Sequence, residues 1–320
     1  MGMSHIGRLL ASADAEIVGL ADPAKDSIEK TRADHPGLKD TPDFADHREM
    51  LEATKPDAVA IATPHTLHMQ HALDSFAAGC HILLEKPMVT SVAEARELLA
   101  RRDELGKVLM VSYQRHYLPA YRYVAEAIAR GDIGEIEYVA GLQTQAWVKG
   151  TAGSWRQDPE FSGGGQLIDS GSHLIDIIMY AVDQEVAGVM AYQADLSMPV
   201  NINSAVSLRF ENGALGAISV VGNGPRGMWE DVSFYGSEGA ILLRTPSIED
   251  WRKTVITHEN HKTGDVEVVL PEESTPDQNF IDVILGRDEL KAPGESGLRV
   301  IQVTEATMRS ARSGREEKPS

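Results

Sequence analysis

His81-Ile82-Leu83-Leu84-Glu85-Lys86-Pro87 is the stretch on which the reading of this chain turns. Four apolar or weakly polar residues follow Gly79-Cys80, and Pro87 cannot donate to a ladder, so the run reads as a buried strand that stops there. Ser91-Val92-Ala93-Glu94 then opens a helix as a capping box. Lys86 therefore lies in a strand-to-helix crossover, at the strand edge where open α/β sheets bind ligands. A lysine in such a loop is ordinarily a solvated charge, and its bearing on chemistry depends on what else the chain carries.

Outward from this strand the pattern repeats. Ala15 to Leu20 reads as a strand ending at Asp22-Pro23, Ala24 to Ala33 as a helix, and Asp57 to Ala62 as a strand ending at Thr63-Pro64. Leu67 to Ala78 has helical spacing and stops at Gly79, Ser91 to about Leu105 is a helix stopped by Gly106, and Val108 to Ser112 is a further strand. The alternation predicts a doubly wound, Rossmann-type parallel sheet.

Past Tyr113 the spacing changes. Ile136 to Val148 reads as a long strand and Asp169 to Val182 as a helix. Val206 to Phe210 pairs with Ala214 to Val220 across Asn212-Gly213, and Asp231 to Tyr235 with Ala240 to Leu243 across Gly236 to Gly239. This predicts an α+β domain with a large, mainly antiparallel, open-faced sheet. Gly163-Gly164-Gly165-Gln166-Leu167-Ile168-Asp169-Ser170-Gly171-Ser172-His173 sets a carboxylate and an imidazole four residues apart, on one face of a helix if the helix extends that far back. With Lys86 they supply a proton donor, an acid/base group and an orienting carboxylate; alone, Asp169 and His173 would be a structural helix start.

Composition narrows the function classes. The 320 residues suffice for two domains, each with its own core. Acidic side chains number 48 against 30 basic ones, a formal charge of -18 that opposes nucleic acid and anionic lipid. Cys80 is the only cysteine, and no long apolar segment suggests a signal peptide or membrane span, so the expected compartment is the cytoplasm. The tail from Ser313 to Ser320 reads as disordered.

Taken in order, Ala62-Thr63-Pro64-His65 with His68, the Ala78 to Pro87 run, Tyr113-Gln114-Arg115, Trp155-Arg156, the Gly163 to His173 run and the Gly297 to Gly314 segment resemble the Gfo/Idh/MocA-type oxidoreductases. The resemblance covers nearly the whole chain. It implies an NAD(P)-binding Rossmann-like domain over 1–113 and a substrate and oligomerisation domain over 114–320, the open sheet face pairing subunits into a dimer or tetramer. It further implies hydride transfer between nicotinamide and a hydroxyl carbon of a sugar, cyclitol or related polyol, with His173 as base, Asp169 orienting the ring or a substrate hydroxyl, and Lys86 bonded to the reacting oxygen. Tyr113, Gln114, Arg115, Trp155 and Arg156 would line the nicotinamide and substrate cleft, with Gln114 and Arg115 on the cofactor side. Thr63, Pro64, His65, His68 and Glu85 would border the cofactor. Two other readings stay open: an NAD-dependent glycoside hydrolase on the same scaffold, and a non-catalytic ligand sensor.

The chain departs from the family pattern at its start. Met1 to Leu10 resembles the end of a Gly-x-Gly-x-x-Gly loop and the first helix, with Gly2 the last motif glycine and His5 and Ile6 beside the cofactor. The first strand and most of the glycine motif are then lacking, and the expectation is a start assigned downstream of the true one. Asp22 stands where an acidic residue bonds the adenosine ribose diol, which favours NAD over NADP; as a bare residue it is also an ordinary turn aspartate before proline. His65, His68 and His71 have ligand-like spacing, but steps of three residues turn about 300 degrees around a helix and diverge, so no metal is expected. His258 and His261 read as surface residues.

Overall fold

The computed structural model of the protein describes residues 2–225, 227–247 and 250–320, and of Trp251 only the backbone. The first part alternates α1 (Gly2–Ala11), β1 (Leu20–Ala21), α2 (Lys25–Asp34), β2 (Asp43–Phe44), α3 (His47–Thr54), β3 (Ala58–Ile61), α4 (His68–Ala77), β4 (His81–Leu84), α5 (Val92–Leu105) and β5 (Leu109–Val111). β3, β4 and β5 pair in parallel with β4 in the middle, and β1 pairs in parallel with β2. Ile82, Leu83 and Leu84 are all buried, whichever face they point to, as a helix-covered parallel strand demands. The two parallel groups share no hydrogen-bonded edge, so the sheet is divided. The expected strand over Ala15 to Leu20 shrinks to Leu20–Ala21, and its partner β2 was not foreseen, since two residues carry no readable period.

Local signals set the element ends. Ser91 accepts the Glu94 backbone N–H at 3.3 Å, and the Glu94 carboxylate reaches back to the N–H of Thr90 at 3.1 Å, one residue earlier than a capping box places it. Gly106 closes α5 at φ 60°, a left-handed cap that a Cβ would strain.

The second part comprises α6 (Pro119–Ala129), β6 (Ile136–Gln145), the short α7 (Trp147–Gly150) and α8 (Pro159–Ser162), α9 (Ser172–Val182), β7 (Val186–Ala194), β8 (Asn203–Phe210), β9 (Leu215–Val221), β10 (Met228–Gly236), β11 (Gly239–Thr245), β12 (Val255–Asn260), β13 (Gly264–Asp265), α10 (Pro276–Ile284) and α11 (Gly294–Ser313). The strands form one sheet of order β13-β12-β11-β10-β6-β9-β8-β7, antiparallel except for the β6–β9 pair. α9 packs on one face; a Cβ on Gly141 of β6 would stand 3.1 Å from Leu174 and Ile178. The opposite face exposes Tyr138, Leu142, Leu215, Trp229 and Tyr235, and Tyr235, Tyr138 and Leu215 are direct cross-strand neighbours. Both predicted hairpins form.

Three sequence expectations are corrected. β6 ends at Gln145 because Trp147 turns inward on α7 instead of continuing the strand. His258 is buried, its Nδ1 2.7 Å from the Tyr123 hydroxyl, because β12 is an interior strand of the sheet rather than a surface hairpin; His261 beyond it is exposed. The C-terminal tail is pinned: Glu317 and Val189 exchange backbone hydrogen bonds at 2.9 and 2.8 Å. α10 returns to pack on α1 and β4, and α11 runs from α5 and β5 to α9 and β7, so the chain's last helices bridge the parallel strands and the large sheet. No helix of the described residues is long and apolar enough to cross a membrane.

Candidate active site

Asp169 is where the site converges. It lies in the turns before α9, not on the helix, so the helical i,i+4 relation with His173 does not hold. The glycine run explains the placement: a Cβ on Gly165 would sit 2.0 Å from the Asn201 carbonyl oxygen, and the Gln166 N–H donates to that oxygen at 2.9 Å. The close approach anchors the segment on the loop after β7 and delivers Asp169 to the mouth of β4.

There Lys86 Nζ donates to Asp169 Oδ1 at 2.9 Å and to its carbonyl oxygen at 3.0 Å. Oδ2 accepts from Trp147 Nε1 at 2.8 Å and Arg156 Nε at 3.1 Å. His65 Nε2 stands 3.7 Å from Oδ1. Burial alone would push the Asp169 carboxyl up, but Lys86, His65, Arg156 and the Trp147 indole outweigh it and hold the group well below the ordinary carboxylate range. A fixed anion thus sits among cationic and neutral donors. Arg156 also lies over the Trp155 ring at 4.4 Å, and Trp155 meets His65 edge-on at 4.6 Å.

His173, one residue into α9, is half-buried, and its Nδ1 is enclosed without a hydrogen-bond partner. Burial, then Lys86 and Arg115, push its imidazole well below the ordinary histidine value, so the ring is neutral at pH 7. Tyr113 meets it edge-on at 6.2 Å; the Tyr113 hydroxyl and the nearby Ser112 hydroxyl are buried and unpartnered. Behind Tyr113, His116 is bonded to both Asp176 oxygens at 3.0 Å and to the Lys291 carbonyl at 2.8 Å. Burial opposes its charge, yet Asp176 overrides it and raises the His116 pKa.

The loops at the strand ends meet here too. His65 Nδ1 donates to the Ser162 carbonyl at 3.0 Å, and burial pushes its pKa down to about 3 against the pull of Asp169. His68 spans the Pro87 carbonyl at 2.8 Å and the Thr63 carbonyl at 3.0 Å, tying the loop after β3, which carries Thr63 and Pro64, to the Lys86 loop; burial keeps the ring neutral, so it donates to one of the two. His71 bonds the Thr63 hydroxyl at 3.0 Å. Among the described residues no cluster of three or more His, Cys, Asp or Glu could hold a metal ion.

Several expected cofactor neighbours have partners within the chain. His5 is buried with one ring nitrogen on Glu85 and the other on Asp277, which leaves neither for a cofactor. Ile6 packs under Leu20, Ile28 and Leu38. Arg115 is buried against Glu230 of β10 at 2.7 Å, drawn into the second part's core by the carboxylate. Gln114 opens the turn that carries Arg115 and is half-exposed. Asp22 is half-exposed, and Oδ1 accepts the Ala24 N–H at 2.8 Å as a turn aspartate does, which leaves Oδ2 to other donors. Trp147 and Asp277 were missed: a lone tryptophan past a strand and an aspartate in a distant helix carry no local signal.

A dinucleotide fits this arrangement. Gly2 starts the ten-residue helix α1 beside the end of β3, where among the described residues a Cβ would meet Ala62 at 3.7 Å, and the first turn of such a helix is the backbone element that suits a pyrophosphate. The unpartnered Tyr113 and Ser112 hydroxyls are buried polar atoms of the kind a bound polar group satisfies.

Known proteins share the pattern. Residues 1–113 match the family model described as "Oxidoreductase family, NAD-binding Rossmann fold", and residues 121–242 match the "GFO/IDH/MocA C-terminal domain". The chain is 34% identical over 137 residues to the D-glucoside 3-dehydrogenase of Escherichia coli, covering 43% of this chain but only 39% of that protein. It is 28% identical over 254 residues to the scyllo-inositol 2-dehydrogenase (NAD(+)) of Bacillus subtilis, covering 77% and 71%. The crystal structure of the WlbA dehydrogenase from Bordetella pertussis in complex with NADH and UDP-GlcNAcA superposes with a TM-score of 0.83 at 25% identity, covering 99% and 94%. With its parallel-strand part and its large-sheet part each matched by one half of the same family, the chain belongs to the Gfo/Idh/MocA oxidoreductases.

Proposed function

We propose that the protein moves a hydride between NAD and a hydroxyl carbon of a sugar, cyclitol or related polyol. The observation that carries this is the Lys86–Asp169 pair at 2.9 Å, set beside the neutral, half-buried His173 at the C-terminal edge of β4. Bound NAD supplies the hydride acceptor. The rest is done by the chain. His173 takes the hydroxyl proton, at Nε2 because Nδ1 is enclosed. Lys86 donates to the reacting oxygen as negative charge grows on it. Asp169, bonded to Lys86 and not to His173, keeps the amine aimed. Trp155 and Arg156 wall the cleft on the substrate side. In this reading residues 1–113 hold the cofactor and the remainder holds substrate. The test is a panel of sugars and polyols scored by NADH formation with the wild type and Lys86→Ala; product release without net NADH would favour a glycosidase on the same site.

Cofactor choice rests on Asp22, whose free carboxylate oxygen suits a ribose diol and repels a 2'-phosphate. Fluorescence titration should show NADH binding more tightly than NADPH, with Asp22→Ala narrowing the gap. Equal or reversed affinities in the wild type would remove Asp22 from the cofactor site.

Self-association rests on the exposed sheet face. Tyr235, Tyr138 and Leu215 run as an apolar row across three strands, with Leu142 and Trp229 on the same side. Sedimentation should give a dimer or tetramer, and Tyr138→Lys combined with Leu215→Lys should give monomers. A monomeric wild type would rule this face out as a subunit interface.

A further inference from the structure

Glu85 stands directly before Lys86, and both of its carboxylate oxygens are engaged. Oε2 accepts the Lys86 backbone N–H at 3.2 Å, and Oε1 lies 2.9 Å from His5 Nε2. His5 Nδ1 lies 2.6 Å from Asp277 Oδ1, and Asp277 Oδ2 accepts from Arg8 at 2.9 Å. His5, Glu85 and Asp277 are 2%, 4% and 1% exposed. Three segments remote in sequence meet in this group: α1, the crossover after β4, and α10 of the returning C-terminal segment.

An imidazole with a carboxylate on each nitrogen donates to both only as the cation. The buried imidazolium, with the partly exposed Arg8 guanidinium, then faces two buried carboxylates, balanced while all four stay together. Parting any of them leaves a buried charge uncompensated, so the geometry is stiff. Among the described residues, its bond to the Asp169 cluster runs through the Lys86 main chain. Asp169 holds the other end of the same residue, by the amine.

We propose that His5 is a positioning residue for Lys86: through Glu85 it clamps the lysine's backbone while Asp169 holds its amine, so that the docking of α10 on α1 is transmitted to the position of Nζ. The alternative is a packing cross-link that steadies α1 and α10 and leaves Lys86 untouched. The inference concerns the placement of one amine and is read without cofactor or substrate, so it stands or falls apart from the oxidoreductase reading.

The experiment is trace labelling of the full chain with acetic anhydride, with acetylation of Lys86, Lys291 and Lys39 quantified by peptide mass spectrometry. Lys39 is an exposed control. Lys291 Nζ pairs with Asp288 beside α10 and reports loosening of that helix. In His5→Gln, Lys86 should label roughly five-fold faster or more relative to Lys39, as expected when one charge-assisted hydrogen bond is lost, while Lys291 stays unchanged. Asp277→Asn, which keeps the side-chain volume, should shift Lys86 in the same direction, and it decides the matter alone if circular dichroism shows His5→Gln unfolded. Unchanged Lys86 labelling, or equal acceleration at Lys86 and Lys291, would overturn the proposal.

Discussion

Lys86→Ala and His173→Ala should each lower turnover by about 10²-fold or more while leaving NAD affinity nearly unchanged. Both side chains face the reacting hydroxyl in the proposed site, so their loss falls on the transition state, and kcat and kcat/KM should drop together. The pH profile separates the two roles. A base works in its unprotonated form, and the His173 pKa lies well below the ordinary histidine value, through burial first and then Lys86 and Arg115. The acid limb of kcat/KM in the wild type should therefore lie below about pH 6.5, with no loss on that limb at higher pH. Lys86→Ala removes one of the cations that lower the pKa, so its residual activity should show the limb moved upward. Near wild-type turnover in either variant refutes the role of that residue, and in both returns Asp169 and His173 to a structural turn.

Glu230→Ala should cost about 3–5 kcal/mol of stability, the effect of removing one partner from a buried ion pair. Glu230 is 1% exposed and sits at the centre of the large sheet. Its Oε2 stands 2.7 Å from Arg115 and accepts from Gln143 at 2.9 Å, and Oε1 accepts the Tyr121 hydroxyl at 2.8 Å. Alanine removes the carboxylate from three buried donors at once, and no water replaces it without opening the core. Urea unfolding should show a lower midpoint at an unchanged m-value. Glu230→Gln, which keeps an acceptor in place, should lose less. A Glu230→Ala variant within about 1 kcal/mol of the wild type would mean that the network contributes little to holding the sheet against Arg115 and Tyr121.

The strand at His81 and the loop carrying Lys86 were legible because the information is local: an apolar run, a proline and a capping serine lie within a dozen residues. The two hairpins were legible for the same reason. The partners of Asp169 were less so. Trp147 and His65 reach it from segments whose own residues say nothing of where they meet, and α9 starts too late for the helical spacing that first linked Asp169 to His173. His5 shows the limit in another way. Its place at the start of α1 leads to the expectation of a cofactor neighbour, but the ring turns toward Glu85 and Asp277, and Asp277 lies 272 residues away. His258 misled because a polar segment reads as surface, whereas β12 is paired on both edges and Tyr123 takes the imidazole.

Asp169 draws its ligands from positions 65, 86, 147 and 156, and the strand beneath Lys86 is closed by helices from the far end of the chain. Contacts so distant in sequence form late, after the loops between them have been closed at an entropic cost. A chain that has folded only its first part therefore has a lysine but no counter-anion to aim it, and one that has folded only the large sheet has the carboxylate without the amine. The Lys86 amine and the Asp169 carboxylate therefore become a pair only when the two parts have come together in one fold.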